Sequence, residues 1–215
     1  MAQERSKSVQ ALAKNGDHKV VTSWPGREYG VVLLLAALAG LAASVELILS
    51  EIRFYKEPGA HLICDINPLV GCSSSLTSSQ AHLLFGIPNS VVGTAFFAGL
   101  LALALVLLSG GSLPRLLWRL LSLAGLACLG FVAFFAHATI SVFHTLCPWC
   151  SLIWLASVPF AVHTWARAAQ GGHLPLPAGL ARFLLLNRWL LVVGFYALLA
   201  AAIGVGLADR IALVI

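Results

Sequence analysis

The chain has 215 residues, of which 60% are hydrophobic and only 10% charged, with a mean hydropathy of +0.93. Soluble domains are typically about 25% charged, so this composition excludes a soluble globular protein and points to a lipid bilayer. The formal charge of +5 belongs with membrane orientation and attraction to anionic lipid, and no nucleic-acid partner is expected.

Residues 1–29 are polar, with scattered charges and no apolar period, and read as a cytoplasmic N-terminal tail. The first apolar run, 30–50, follows that tail and exceeds the ~7–15 residues of a signal-peptide core, so it reads as a span. Glu46, toward its outer end, is either a functional intramembrane carboxylate or one half-solvated near the interface. An external loop, 51–87, carries "HLICDINPLVGCSSSLTSS", in which Asn67, Pro68 and Gly71 are turn formers. Cys64 and Cys72 are therefore expected on irregular, movable backbone. The second run, 88–108, opens at Pro88, well suited to a first helical position. The third, 116–138, holds Cys128 mid-span as a small buried hydrophobe. His137 and His144 flank the short connection that follows and either tune a nearby thiolate or are incidental. The fourth run, 146–166, begins with Cys-Pro-Trp-Cys. Residues 167–186, with Gly171, Gly172, Pro175 and Pro177, read as a cytoplasmic loop, the fifth run covers 187–208, and 209–215 form a short external C-terminus. Each run reaches the ~20 residues a bilayer requires, giving an all-α integral membrane protein with a five-helix domain over 30–208.

Orientation follows from Lys and Arg. With the N-terminus inside, Arg5, Lys7, Lys14, Lys19, Arg27, Arg115, Arg119, Arg167, Arg182 and Arg188 are cytoplasmic, and Arg53, Lys56 and Arg210 are outside: 10 against 3, accounting for all 13. A cytoplasmic (inner) membrane protein with an inside N-terminus is expected, and four of its five cysteines, Cys64, Cys72, Cys147 and Cys150, then share the oxidising face.

Cys147 and Cys150 stand three apart at a helix start, a spacing that a slight adjustment closes into a disulfide. Pro148 fits the first turn without loss of a hydrogen bond, and the helix N-terminus favours the thiolate, the form that attacks disulfides. A structural bridge between neighbours closes almost no loop and stabilises little. A four-cysteine zinc site is disfavoured because the first pair is C-x7-C rather than a short arm. A mobile dithiol beside a fixed one suits an electron relay through mixed disulfides. A soluble partner supplies the outer pair, and a membrane quinone is the natural acceptor.

These residues resemble the vitamin K epoxide reductase (VKOR) family in its bacterial branch: Cys64-Asp65…Cys72 after the first span, "LFGIPNSVVG" entering the second, "LSLAG" in the third, and Cys-Pro-Trp-Cys opening the fourth. The resemblance covers 30–165. It implies a four-helix bundle around a quinone (menaquinone, ubiquinone or vitamin K type) with a fifth helix beside it, and no metal. It also implies Cys150 next to the quinone ring, Cys147 as its exchanging partner, Cys72 meeting Cys147, and Cys64 meeting a separate extracytoplasmic thioredoxin-fold (DsbA-like) protein, so that the relay supports disulfide bond formation. The family's quinone-binding Asn appears here as His82, and the Tyr of animal members as Trp154; both can donate to a quinone carbonyl. Phe85 and Phe143 are candidates for lining the pocket or for plain packing, and Asn89 for a cap or a ring contact. Competing readings are an enzyme running mainly for quinone or vitamin K epoxide reduction, a DsbB-type oxidase, whose order of cysteine pairs is the reverse of this one, and a non-enzymatic metal-binding or structural membrane protein.

Overall fold

The computed structural model describes residues 26–57, 62–83 and 86–212. Five long helices make up the described chain: α1 (Gly26–Lys56), α2 (Asn89–Leu108), α3 (Arg115–Ala138), α4 (Pro148–Gln170) and α5 (Ala178–Gly206). No strand occurs among the described residues, and the protein is an all-α membrane protein. Prolines set four of the helix starts: Pro88, Pro114 and Pro177 immediately precede α2, α3 and α5, and Pro148 is the first residue of α4. A fixed φ and a missing N–H cost nothing there, because the first N–H groups of a helix have no partner within it.

α1 packs on α2 and α4, and α4 also packs on α3 and α5, which makes α4 the central helix. Four of the five helices are long and apolar enough to cross a membrane; α4 is the exception. Its 23 residues reach about 34 Å at 1.5 Å per residue, enough for a hydrocarbon core of ~30 Å. Its lower apolarity comes from side chains that the neighbours enclose: Ser157, His163 and Thr164 are buried, and the Thr164 hydroxyl is hydrogen-bonded to Tyr29 of α1 at 3.0 Å. A polar residue in a bilayer is tolerated where protein surrounds it. The outermost helix, α5, presents Leu186, Leu190, Val193 and Leu198 to its surroundings and is fastened by Arg188 Nη2 to Glu28 at 3.1 Å and by the Tyr196 hydroxyl donating to the Leu155 carbonyl.

Several boundaries differ from those expected. α1 runs on to Lys56, so the loop expected from residue 51 starts later, and the loop expected over 167–186 shrinks to 171–177. Gly171, Gly172, Pro175 and Pro177 confine the break, while 178–186 consist largely of good helix formers that add two turns to α5. Of the expected N-terminal tail, 1–25 lie outside the described residues. At the far end, Ala208–Ile211 form one further helical turn.

Candidate active site

The segment that follows α1 folds back over the bundle through a single carboxylate. Asp65 Oδ1 accepts the backbone N–H of Cys72 at 2.7 Å and of Ser73 at 3.2 Å, and the Ser73 hydroxyl donates to Oδ2. These are the donors left open at the start of the helical turn Ser73–Leu76, and a charged acceptor is the strongest partner for them. Gly71 permits the approach, because a Cβ there would fall 2.7 Å from Asp65 Oδ1. The result brings the residues on either side of the carboxylate together: Cys64 and Cys72 form a disulfide.

A short backbone bridge then joins this segment to the entrance of α4. Gly71 N–H donates to the Leu146 carbonyl at 3.1 Å, and Leu146 N–H donates to the Leu69 carbonyl at 2.8 Å. The next residue on each side is a cysteine, and Cys147 Sγ lies 3.5 Å from Cys72 Sγ. Leu47, Leu62 and Leu76 close over the three sulfurs of Cys64, Cys72 and Cys147. The movable loop expected here is pinned over 69–73, and Cys64, expected to meet the outer protein, is only 4% exposed. The backbone bridge responsible for this joins Gly71 to Leu146, far apart in sequence and beyond the range of turn rules.

Cys147 precedes α4 as its cap, its sulfur accepting from the Cys150 N–H at 3.4 Å. The Cys150 thiol beside it, working against burial and helped by the N–H groups of Cys150 and Trp149, holds the Cys147 thiol below its ordinary range. Cys147 thus stands against the Cys64–Cys72 disulfide, while Cys150, one turn further in, also reaches a second environment. It lines a cavity of about 430 Å³ bordered by α1, α2, α3, α4 and the segment that leads into α2. The walls are almost wholly apolar, with Phe96 and Phe97 on α2, Phe131 and Phe135 on α3, and Trp154 on α4. Such a volume is within the range of small-molecule sites.

The candidates distribute unevenly around this cavity. Cys150, Asn89 and Trp154 line it. His82 does not: its Nε2 is 3.1 Å from Glu51 Oε1, and Glu51 is the residue on the wall. Phe143 is buried in a separate cluster with Val132, Phe135 and Trp154, so packing prevails over lining there. Asn89 is clamped at both ends of its amide, Nδ2 donating to the Gln80 carbonyl at 2.7 Å and Oδ1 accepting from Leu83 N–H at 3.3 Å. Phe85 lies outside the described residues. Cys128, expected as an inert core residue, is half-buried on the cavity wall. Asp65, Glu51 and Ser90 were not expected at the site; only the Cys-Asp pair offered a signal for the first of them.

A disulfide in thiol-exchange contact with a second dithiol, mounted at one end of an apolar helix bundle, defines a membrane redox protein. The model of the vitamin K epoxide reductase family matches residues 31–165, which take in most of α1 through most of α4 and all five cysteines. The chain belongs to that family and is an oxidoreductase; α5 lies outside the matched part.

Proposed function

We propose that the protein is a quinone-dependent thiol–disulfide oxidoreductase that draws electrons from an extracytoplasmic thioredoxin-fold protein. One observation carries the reading: Cys147 touches Cys72 at 3.5 Å, while its neighbour Cys150 lines the apolar cavity. The residues fit a quinone. The cavity is of suitable volume and lining, it holds a thiol, and one buried hydroxyl on its wall, Ser90 Oγ, lacks a partner among the described residues. In addition, α2 and α3 flank the cavity without packing closely on one another, which leaves a side open for a lipophilic molecule. Bound there, a quinone supplies an acceptor for two electrons and two protons.

The steps fall to the cysteines. A thiolate of the soluble partner attacks Cys64, and Cys72 leaves as thiolate; the partner's second thiol then attacks its own sulfur and frees Cys64, leaving the outer pair reduced. Cys72 next attacks Cys147 of the oxidised inner pair, giving a Cys72–Cys147 bond and a Cys150 thiolate. Cys64 attacks Cys72 and frees Cys147. Cys147 and Cys150 then lose two electrons and two protons to the acceptor, and their own disulfide re-forms. The excess of Lys and Arg at the end of the bundle remote from the cysteines supports an extracytoplasmic site in the inner membrane.

The test pairs turnover with trapping. Purified protein in lipid should oxidise a reduced thioredoxin-fold substrate only when quinone is present. Cys150→Ser should accumulate a Cys72–Cys147 crosslink, because Cys147 can still attack the closed outer bridge at Cys72, with Cys64 leaving as thiolate, while no thiol at 150 remains to draw Cys147 back. Cys72→Ser, offered the soluble partner in its oxidised form, should accumulate Cys64 joined to that partner, since Cys72 is no longer there to displace it. A dominant Cys64–Cys147 crosslink in the first variant, mapped by mass spectrometry, would refute the order; turnover without quinone would refute the acceptor.

A further inference from the structure

Four polar side chains on the cavity wall are already engaged. Glu51 is held by His82, Ser75 donates to the Cys72 carbonyl at 2.8 Å, the Asn89 amide is clamped as described, and Ser157 donates to the Ile153 carbonyl at 2.8 Å. Ser90 is different. It is 8% exposed, it lines the same cavity as Cys150, and its Oγ has no hydrogen-bond partner among the described residues.

The cause lies in its position. A serine inside a helix ordinarily donates back to the carbonyl three or four residues earlier, as Thr94 does to Ser90 at 2.9 Å. Ser90 is the second residue of α2, and Pro88 ahead of it is extended, with ψ of 132°. The residues three and four back, Ile87 and Gly86, therefore lie outside the helix. A hydroxyl placed there keeps a free donor, and a buried donor without an acceptor is costly. Ser44 on α1 is also buried and without a partner among the described residues, but it sits behind Gly93, whose Cβ would fall 2.7 Å from its Oγ, and is not on the cavity wall.

Resting on the quinone reading above, we infer that Ser90 is the residue on α2 that donates a hydrogen bond to a ring carbonyl of the bound quinone, across the cavity from Cys150 and Trp154 on α4. A carbonyl oxygen is the acceptor that an apolar cavity otherwise lacks, and a donor in low dielectric is worth more than the same donor in water. The contact also polarises the ring toward reduction by the adjacent thiol.

The experiment uses the full-length protein in lipid with a quinone labelled with carbon-13 at its carbonyls, comparing wild type, Ser90→Ala and Ser90→Thr. Infrared difference spectra report the carbonyl stretch, which a hydrogen bond lowers. In Ser90→Ala one ring-carbonyl band should rise in wavenumber and the KM for quinone should increase by up to about tenfold, the ratio for one neutral hydrogen bond. In Ser90→Thr, which keeps the hydroxyl, the band should stay near its wild-type position. The Cys72–Cys147 crosslink in a Cys150→Ser background should form as fast with Ser90→Ala as without it. A bound quinone whose carbonyl bands do not move in Ser90→Ala would overturn the role of Ser90 and leave the quinone site standing, even with a raised KM. Absence of any quinone band in the wild type, at quinone concentrations that saturate turnover, would overturn the site itself.

Discussion

The sulfur of Cys147 answers to two neighbours at once. Cys72 lies at its attack distance of 3.5 Å, and Cys150 supplies both a thiol and an N–H that favour the thiolate. A lowered thiol pKa keeps the thiolate populated as the pH falls, and removing the largest contribution lets the pKa rise. The two ways of disabling Cys150 should therefore differ: Cys150→Ser retains a donor, and Cys150→Ala does not. The rate at which the Cys72–Cys147 bond forms against a closed outer bridge should lose half its value at a higher pH in Cys150→Ala than in Cys150→Ser. The displacement should be about one pH unit, given the strength of a hydrogen bond to a charged group. Quenched-flow alkylation across the pH range measures it; identical profiles would mean that the side chain at 150 does not set the thiolate. At this scale the sequence was informative where chemistry is rare and silent where it is common. Four cysteines in an apolar chain stand out, whereas Ser90 reads like any serine near a helix start. Its significance depends on Pro88 withholding the usual acceptor and on a cavity formed by four helices. His82 went astray for the matching reason: its ring finds Glu51, on another element, before it can reach the cavity.

The helices meet through small residues. Gly40 on α1 lies against the ring of Phe97 on α2, so closely that a Cβ would overlap it, and Ser44, one turn on, faces Gly93. Lipid tails provide no hydrophobic drive to join helices, so close contact of backbones does much of that task. Gly40→Val should overpack this seam and destabilise the bundle by about 1–3 kcal/mol, measured as a lower midpoint of thermal unfolding in detergent. Ala at Gly99, where nothing lies within 4 Å of an added Cβ, is the control and should leave the midpoint unchanged. The lengths of the apolar runs and the prolines between them made the helices legible before any coordinates. Their ends were less so, because α5 gains nine residues from a stretch whose helix formers lie between a proline and an apolar run. The special place of α4 was also hidden. Its composition is the least lipid-like of the five, and only packing on three sides explains how Ser157, His163 and Thr164 are accommodated.

The bundle as a whole is polarised, with four of the five cysteines at one end and most of the arginines at the other. If the N-terminus is inside, a cysteine introduced at Ser112, between α2 and α3, should resist an impermeant thiol reagent in intact cells, while one at Lys56, at the end of α1, should react, each in a chain whose own cysteines are replaced by serine. Ready labelling at Ser112 would reverse the orientation and the side on which the relay works. The separation of most arginines from the Cys64/Cys72 and Cys147/Cys150 pairs could be read from their places between the apolar runs, whereas the pinning of 69–73 onto Leu146 needed the folded chain. The loose seam between α2 and α3 carries a further consequence. If the acceptor arrives by that route, its solvent is the bilayer, and the quantity that governs saturation is its mole fraction among lipids rather than its amount per volume of buffer. Fusing the protein's vesicles with plain lipid at constant total quinone should slow turnover in proportion to the added lipid, and doubling the aqueous volume should leave it unchanged.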